Sequence, residues 1–179
     1  MNEKKERYEV ILAGSGGQGL VLAGIMLGEA AMLEGKVVVQ TQSYGIASRG
    51  GLSLAEVIID QEEIIYQQVQ KPDIILALTE EALEKYAAWA EKGAPVFYDT
   101  TLAKARAGAN LTGYPFTKMA SDLGNTAAVN ILALGALSAA GRMVKTESLA
   151  GVIRKRFQGN AGELNLKALQ RGVELIMRP

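Results

Sequence analysis

The stretch "LAGSGGQGLVLAG" (Leu12–Gly24) decides how this chain is read. It follows the short apolar run Tyr8–Ala13, "YEVILA", which reads as a buried strand closed by glycines. It leads into "GGQGLVLAGIMLGEAAMLE", helical in composition from Gly16 to about Glu34, with Leu20, Ala23, Leu27, Ala30 and Ala31 at helical spacing and Gly35 as the stop. "KVVVQT" (Lys36–Thr41) reads as a second, central β-branched strand. Strand, glycine turn, helix and strand in this order begin a parallel sheet with a right-handed crossover. The expected fold is therefore α/β: one Rossmann-like, three-layer domain over residues 1–179, ordered from about 8 to 177, with a mostly parallel sheet flanked by helices.

A glycine turn between a buried strand and a helix leaves backbone N–H groups unpaired at the positive end of the helix dipole, a general anion site. Gly14, Ser15, Gly16, Gly17, Gln18 and Gly19 are the candidate residues. The spacing Gly14-x-Gly16-x-x-Gly19 is also the dinucleotide fingerprint, which requires Asp or Glu at the end of the second strand to hold the ribose hydroxyls. Here that strand ends in Gln40, Thr41 and Gln42, and Glu34 falls before it. No Gly-Lys-Ser/Thr follows the loop, so a Walker-type NTPase is excluded. Glycines serving only close packing of helix on sheet remain an alternative.

The loop after the second strand, "QSYGIASRGG" (Gln42–Gly51), supplies Ser43, Tyr44, Arg49, Gly50 and Gly51. Loops at the carboxyl ends of strands line the ligand crevice of an open α/β sheet, so this loop should neighbour the glycine turn. Arg49 can grip a phosphate or carboxylate bidentately, and Tyr44 can stack or donate.

Farther on, "LSLAEVIID" (Leu52–Asp60), "KPDIILAL" (Lys71–Leu78) and "APVFYDT" (Ala94–Thr100) read as strands, and "EEIIYQQ" as a short paired strand. "TEEALEKYAAWAEKG" is a helix capped by Thr79 and stopped at Gly93. Thr126–Gly141 is a helix apolar nearly all round, hence buried or at an interface, with a Gly-Asn break (Gly124, Asn125) before it. Thr146 is the expected cap of the next helix, and a last helix runs Asn160–Met177.

The absences narrow the chemistry. Among 179 residues there is no Cys and no His. A thiolate nucleophile, an iron–sulfur cluster, a zinc–thiolate site and any Ser-His-Asp or Cys-His triad are therefore outside this chain's means. With 19 basic and 19 acidic residues, no net field draws nucleic acid or a membrane. The charged start "MNEKKERYEV" is no signal peptide, no apolar run suits a bilayer, and a cytoplasmic location is expected.

Taken together, "GSGGQG" after an apolar strand, "AAMLEGKVVVQTQSYGIASRGG", "AEVIID", "KPDIILAL", "ASDLGNTAAVNILALGAL" and "NLKALQRG" resemble the gamma subunits of 2-oxoacid:ferredoxin oxidoreductases, above all the 2-oxoglutarate synthase type. Related gamma subunits serve pyruvate, branched-chain oxoacids or aryl pyruvates. The resemblance implies a complex that oxidatively decarboxylates a 2-oxoacid with coenzyme A, giving acyl-CoA, carbon dioxide and reduced ferredoxin. It implies thiamine diphosphate and magnesium on alpha and beta subunits, and iron–sulfur clusters on the beta and ferredoxin-like delta subunits. This chain would carry no cluster and no catalytic residue, be inactive alone, and could form a homodimer when isolated. The N–H groups of Ser15–Gly19 and the Arg49 guanidinium would meet coenzyme A phosphates or clamp the partner subunit there, with Asn125 supporting the crevice. The rival reading is a free-standing Rossmann-like dinucleotide enzyme, for which Lys71, Tyr98 and Asp99 are the available bases.

Overall fold

The computed structural model describes residues 5–44 and 51–177, and of Tyr44 only the backbone. Six strands form one sheet: β1 (Tyr8–Ser15), β2 (Val37–Tyr44), β3 (Leu52–Asp60), β4 (Ile74–Ala77), β5 (Val96–Asp99) and β6 (Leu111–Tyr114). Their order is β2-β3-β1-β4-β5-β6. The pairs β1–β4, β4–β5 and β5–β6 are parallel, while β3 is antiparallel to both of its neighbours, so every strand except β3 runs the same way. The mostly parallel sheet is as expected, but β2 is an edge strand rather than a central one. β3 lies between β1 and β2, because a chain that turns straight back from β2 into an antiparallel strand can pair with both.

The layers follow from strand periodicity. Val10 and Leu12 of β1, with Ile74 and Leu76 of β4, enter the larger core, while Ile11, Ala13, Ile75 and Ala77 enter the smaller one. Both faces are thus buried, which is why these strands read as unbroken apolar runs. Helices α1 (Leu20–Leu33), α4 (Phe116–Asp122), α5 (Val129–Gly141), α6 (Thr146–Arg156) and α7 (Gly159–Met177) close the larger core. Helices α2 (Glu80–Tyr86) and α3 (Ala88–Glu91) close the smaller one.

Several local expectations change. α1 begins at Leu20, not Gly16, since Gly17 and Gly19 hold φ of 92° and 72°, outside the helical region. "EEIIYQQ" is not a strand: the connection from β3 to β4 is irregular, with Ile64 buried and Ile65 exposed. Thr79 does cap α2, its hydroxyl accepting the Ala82 N–H at 3.2 Å. Thr146 does not cap α6; it is the first helical residue after Lys145. The carboxylate of Glu34 takes that role from the end of the neighbouring α1, accepting the Lys145 N–H at 2.6 Å and the Ser148 hydroxyl at 2.8 Å. α5 is enclosed by this chain itself, buried from Val129 through Ser138, so it presents no interface of its own. Its backbone meets that of α7: a Cβ on Gly172 would run into the Leu132 carbonyl, and one on Gly135 into that of Leu169.

Candidate functional site

The glycine turn lies at the carboxyl end of β1, in the sheet interior, between β3 and β4. Gln18 folds back into it. Its Oε1 accepts the Ser15 N–H at 2.8 Å, and its Nε2 donates to the Leu78 carbonyl just beyond β4 at 3.4 Å. A Cβ on Gly14 would collide with that Gln18 oxygen, so a side chain there would push the Gln18 amide out of the turn. The Gln18 N–H donates to the Ser15 carbonyl at 3.3 Å, and the Gly16 N–H to the Gly51 carbonyl at 3.4 Å. Three of the expected anion donors are therefore engaged inside the chain. The N–H groups of Gly17 and Gly19 have no hydrogen-bond partner among the described residues.

Around Gly17 the turn is open, whereas Gly19 packs against the Asn130 amide. A Cβ at Gly16 or Gly17 would meet nothing within 4 Å, and both residues are exposed. The first turn of α1 has no side-chain cap and no acidic residue. A helix of 14 residues thus begins with no side-chain cap and no acid at its positive pole, behind the open Gly16–Gly17 turn.

The second loop meets the first through β3 rather than through direct pairing of β2 with β1. Leu52 stands opposite Ser15, Ser53 opposite both Gly14 and Tyr44, and Leu54 opposite Ser43. Ser43 is exposed and Gly51 touches the glycine turn, so the two loops are neighbours, as the crevice rule anticipates. Arg49 and Gly50 lie outside the described residues. Asn125 acts locally, its Oδ1 accepting the Ala127 N–H at 3.0 Å and so capping the 3-10 turn (Thr126–Ala128) that feeds α5.

Two of the acid-base candidates of the rival reading are occupied structurally. Asp99 is fully buried, accepting the N–H groups of Thr101 (2.9 Å) and Thr117 (3.1 Å) and the Thr117 hydroxyl. The Tyr98 hydroxyl both donates to the Arg106 carbonyl and accepts its N–H. Lys71 is exposed beside Pro72, before β4 and hence at the opposite end of the sheet from the glycine turn. Glu34, the nearest acid to the ribose position in sequence, is also at that opposite end. Burial alone would raise its carboxyl, but the Lys145 N–H, the Ser148 hydroxyl and the Lys36 ammonium (3.2 Å) together hold it below the ordinary range.

Residues 9–175 match the family of pyruvate ferredoxin/flavodoxin oxidoreductases. The chain belongs to this family. Within it, the chain is 40% identical over 168 residues to the 2-oxoglutarate synthase subunit KorC of Archaeoglobus fulgidus, covering 93% of this chain and 87% of that one. The keto/oxoacid ferredoxin oxidoreductase gamma subunit of Geobacter sulfurreducens superposes with a TM-score of 0.82 at 38% identity, covering 95% and 98% of the two chains. The same fold, at 23% identity and a TM-score of 0.86, forms 31% of a longer chain in a 2-oxoglutarate:ferredoxin oxidoreductase from Magnetococcus marinus; the match takes in 97% of this chain.

One residue of this oxidoreductase chain gains a role only from the tertiary structure. Asn130, 2% exposed in the first turn of α5, donates from Nδ2 to the Gly19 carbonyl at 2.9 Å. It ties the entry of α1 to the start of α5. A lone Asn in the run "VNILALGAL" was the available signal, since a buried amide must find partners. Gln40 does similar work, its Nε2 donating to the Val21 carbonyl at 3.2 Å.

Proposed function

We propose that this chain is the gamma subunit of a multi-subunit 2-oxoacid:ferredoxin oxidoreductase acting on 2-oxoglutarate, and that its glycine turn receives the phosphates of coenzyme A. Support for the 2-oxoacid comes from the 2-oxoglutarate-type relatives. The observation that carries the coenzyme A role is the uncapped, acid-free start of α1 behind the open Gly16–Gly17 turn. Such a start favours a polyanion. Coenzyme A, when bound, supplies the thiol that carries off the acyl group. This chain's part is to hold its phosphates with the Gly17 and Gly19 N–H groups and the Arg49 guanidinium, bordered by Ser43, Tyr44, Gly50 and Gly51. Asn125 supports the rim by setting the start of α5. The Gln18 amide is committed to the turn and supports it from within.

The remaining cofactors belong on partners. With neither thiolate nor imidazole, this chain lacks the donors for an iron–sulfur cluster. The described residues contain no grouping of carboxylates suited to a metal ion. We therefore assign thiamine diphosphate and magnesium to alpha and beta subunits, and clusters to the beta and ferredoxin-like delta subunits, in a cytoplasmic complex. Among the described residues no helix is long and apolar enough to cross a membrane.

The test is steady-state kinetics of the reconstituted complex. Arg49→Ala should raise KM for coenzyme A by about tenfold, the worth of one charge-assisted hydrogen bond, with KM for the 2-oxoacid unchanged. If both coenzyme A affinity and turnover stay at wild-type values, the ligand role is wrong.

A further inference from the structure

At the end of the molecule opposite the glycine turn, three of the large apolar side chains left exposed lie close in sequence: Met32 (64%), Leu33 (69%) and Val37 (41%). Met32 and Leu33 border a groove of about 370 Å³ between the last turn of α1 and α6, whose floor includes Gly151 and Val152 and whose rim includes Lys155. A second cavity of about 440 Å³ adjoins it through Leu33 and reaches Lys145 and Ser148 at the start of α6. Together they form one apolar-centred trough along a single helix.

Two features of α6 have no explanation inside the chain. Gly151 sits mid-helix, where glycine weakens a helix relative to alanine, yet a Cβ there would meet nothing within 4 Å. Neither positive φ nor internal crowding requires it. Gly135 of α5 and Gly172 of α7 show one use for such a residue, since there the backbone of a second helix passes across the missing Cβ. Lys145 and Lys155, at the two ends of the trough, have no ion-pair partner among the described residues, whereas Lys36 and Arg156 are paired with Glu34 and Glu29.

We propose that the α1–α6 trough is the docking face for a helix of a partner subunit. That helix lays large apolar side chains over Met32 and Leu33, passes close at Gly151, and carries carboxylates about 15 Å apart, ten helical residues, to meet Lys145 and Lys155. A second copy of this chain is the poorer occupant, because a twofold contact would bring the unpaired lysines of both copies to the same apolar patch. The proposal rests on the reading of the chain as a subunit, and it places the contact far from the proposed coenzyme A site.

The experiment titrates the purified chain into the complex lacking it, following affinity and hydrogen exchange. Wild type should bind with new protection over residues 29–36 and 148–156. Gly151→Leu improves helix propensity and should leave the melting temperature at or above wild type, yet weaken binding at least tenfold. Lys155→Glu should weaken binding severalfold at low salt and less at high salt. Binding of both variants at wild-type affinity, or protection elsewhere only, overturns the docking face while leaving the subunit reading intact. No binding by wild type overturns both. Self-association of the chain that Gly151→Leu abolishes would assign the trough to a second copy and overturn the proposed occupant.

Discussion

Gly16 and Gly19 stand three residues apart in one turn and answer to different constraints. Gly19 holds φ at 72°, and a Cβ there would lie 2.5 Å from the Asn130 amide nitrogen. Gly19→Ala should cost about 1–3 kcal/mol, seen as a lowered denaturation midpoint. Gly16 is unhindered, so Gly16→Ala should stay within about 0.5 kcal/mol of wild type. A rise in KM for coenzyme A in that variant would then report a ligand at the turn rather than a damaged fold. Asn130→Leu should cost about 1 kcal/mol, because the Gly19 carbonyl keeps the Ala23 N–H at 3.0 Å. Its clearer mark should be faster amide exchange at Ala23, whose N–H is held by the Gly19 carbonyl that Asn130 fixes. Side-chain context separates these glycines, and context was invisible in the string "GSGGQG". The sequence marks the turn, while the packing tells its glycines apart.

At the scale of elements, the helix junctions carry the most information. Gly172 lets α7 press against the Leu132 carbonyl of α5, so Gly172→Ala forces the helices apart, at an expected cost of about 3 kcal/mol by chemical denaturation. Glu34 joins α1 to α6 by accepting the Lys145 N–H and the Ser148 hydroxyl, and Glu34→Ala should cost about 1–2 kcal/mol. The apolar runs β1, β4 and β5 were legible because both sheet faces are buried. The helices α1 and α5 were legible because each is a run of small and apolar residues longer than a strand and bounded by glycines. The position of β2 was not, since β-branched residues suit an edge as well as a centre. Nor was the α6 cap, because its carboxylate comes from 111 residues earlier in the chain. That the loops after β1 and β2 adjoin was legible in the sequence, while the Asn130 tether required the tertiary fold.

For the whole molecule, the lack of His and Cys predicts stability that changes little between roughly pH 5.5 and 9.5, because almost no side chain titrates there. The acid limb comes from Glu34 and Glu9. Burial would raise Glu9, but the N–H groups of Lys71 and Gln70 and the Arg7 guanidinium outweigh it and hold the carboxyl low. The unfolded chain binds protons first, so their contribution is present above about pH 4.3 and is lost as pH falls through the depressed values. The alkaline limb includes Tyr86, pushed up to about 12 by burial and then by the charge of Glu56. A raised value gives stability that is full below about pH 10 and lost as pH climbs toward 12. Thermal melts across pH should show this plateau, with Glu9→Gln and Glu34→Gln flattening the acid limb and Tyr86→Phe the alkaline one.

The insertion of β3 between β1 and β2 also sets an order in time. β2 and β3 are sequential and antiparallel, so they can pair locally, whereas β1 finds β4 only across the whole intervening chain. α1 can coil as soon as its own residues are free, but Gly16 gains the Gly51 carbonyl only when β3 has settled against β1. The junction of the two loops is therefore born with the sheet, not with the helix that starts beside it. In a refolding reaction followed by pulsed exchange, the Gly16 amide should become protected in step with Ser53 and Ala55 of β3, which stand opposite Gly14 and Leu12 of β1, after α1 has formed.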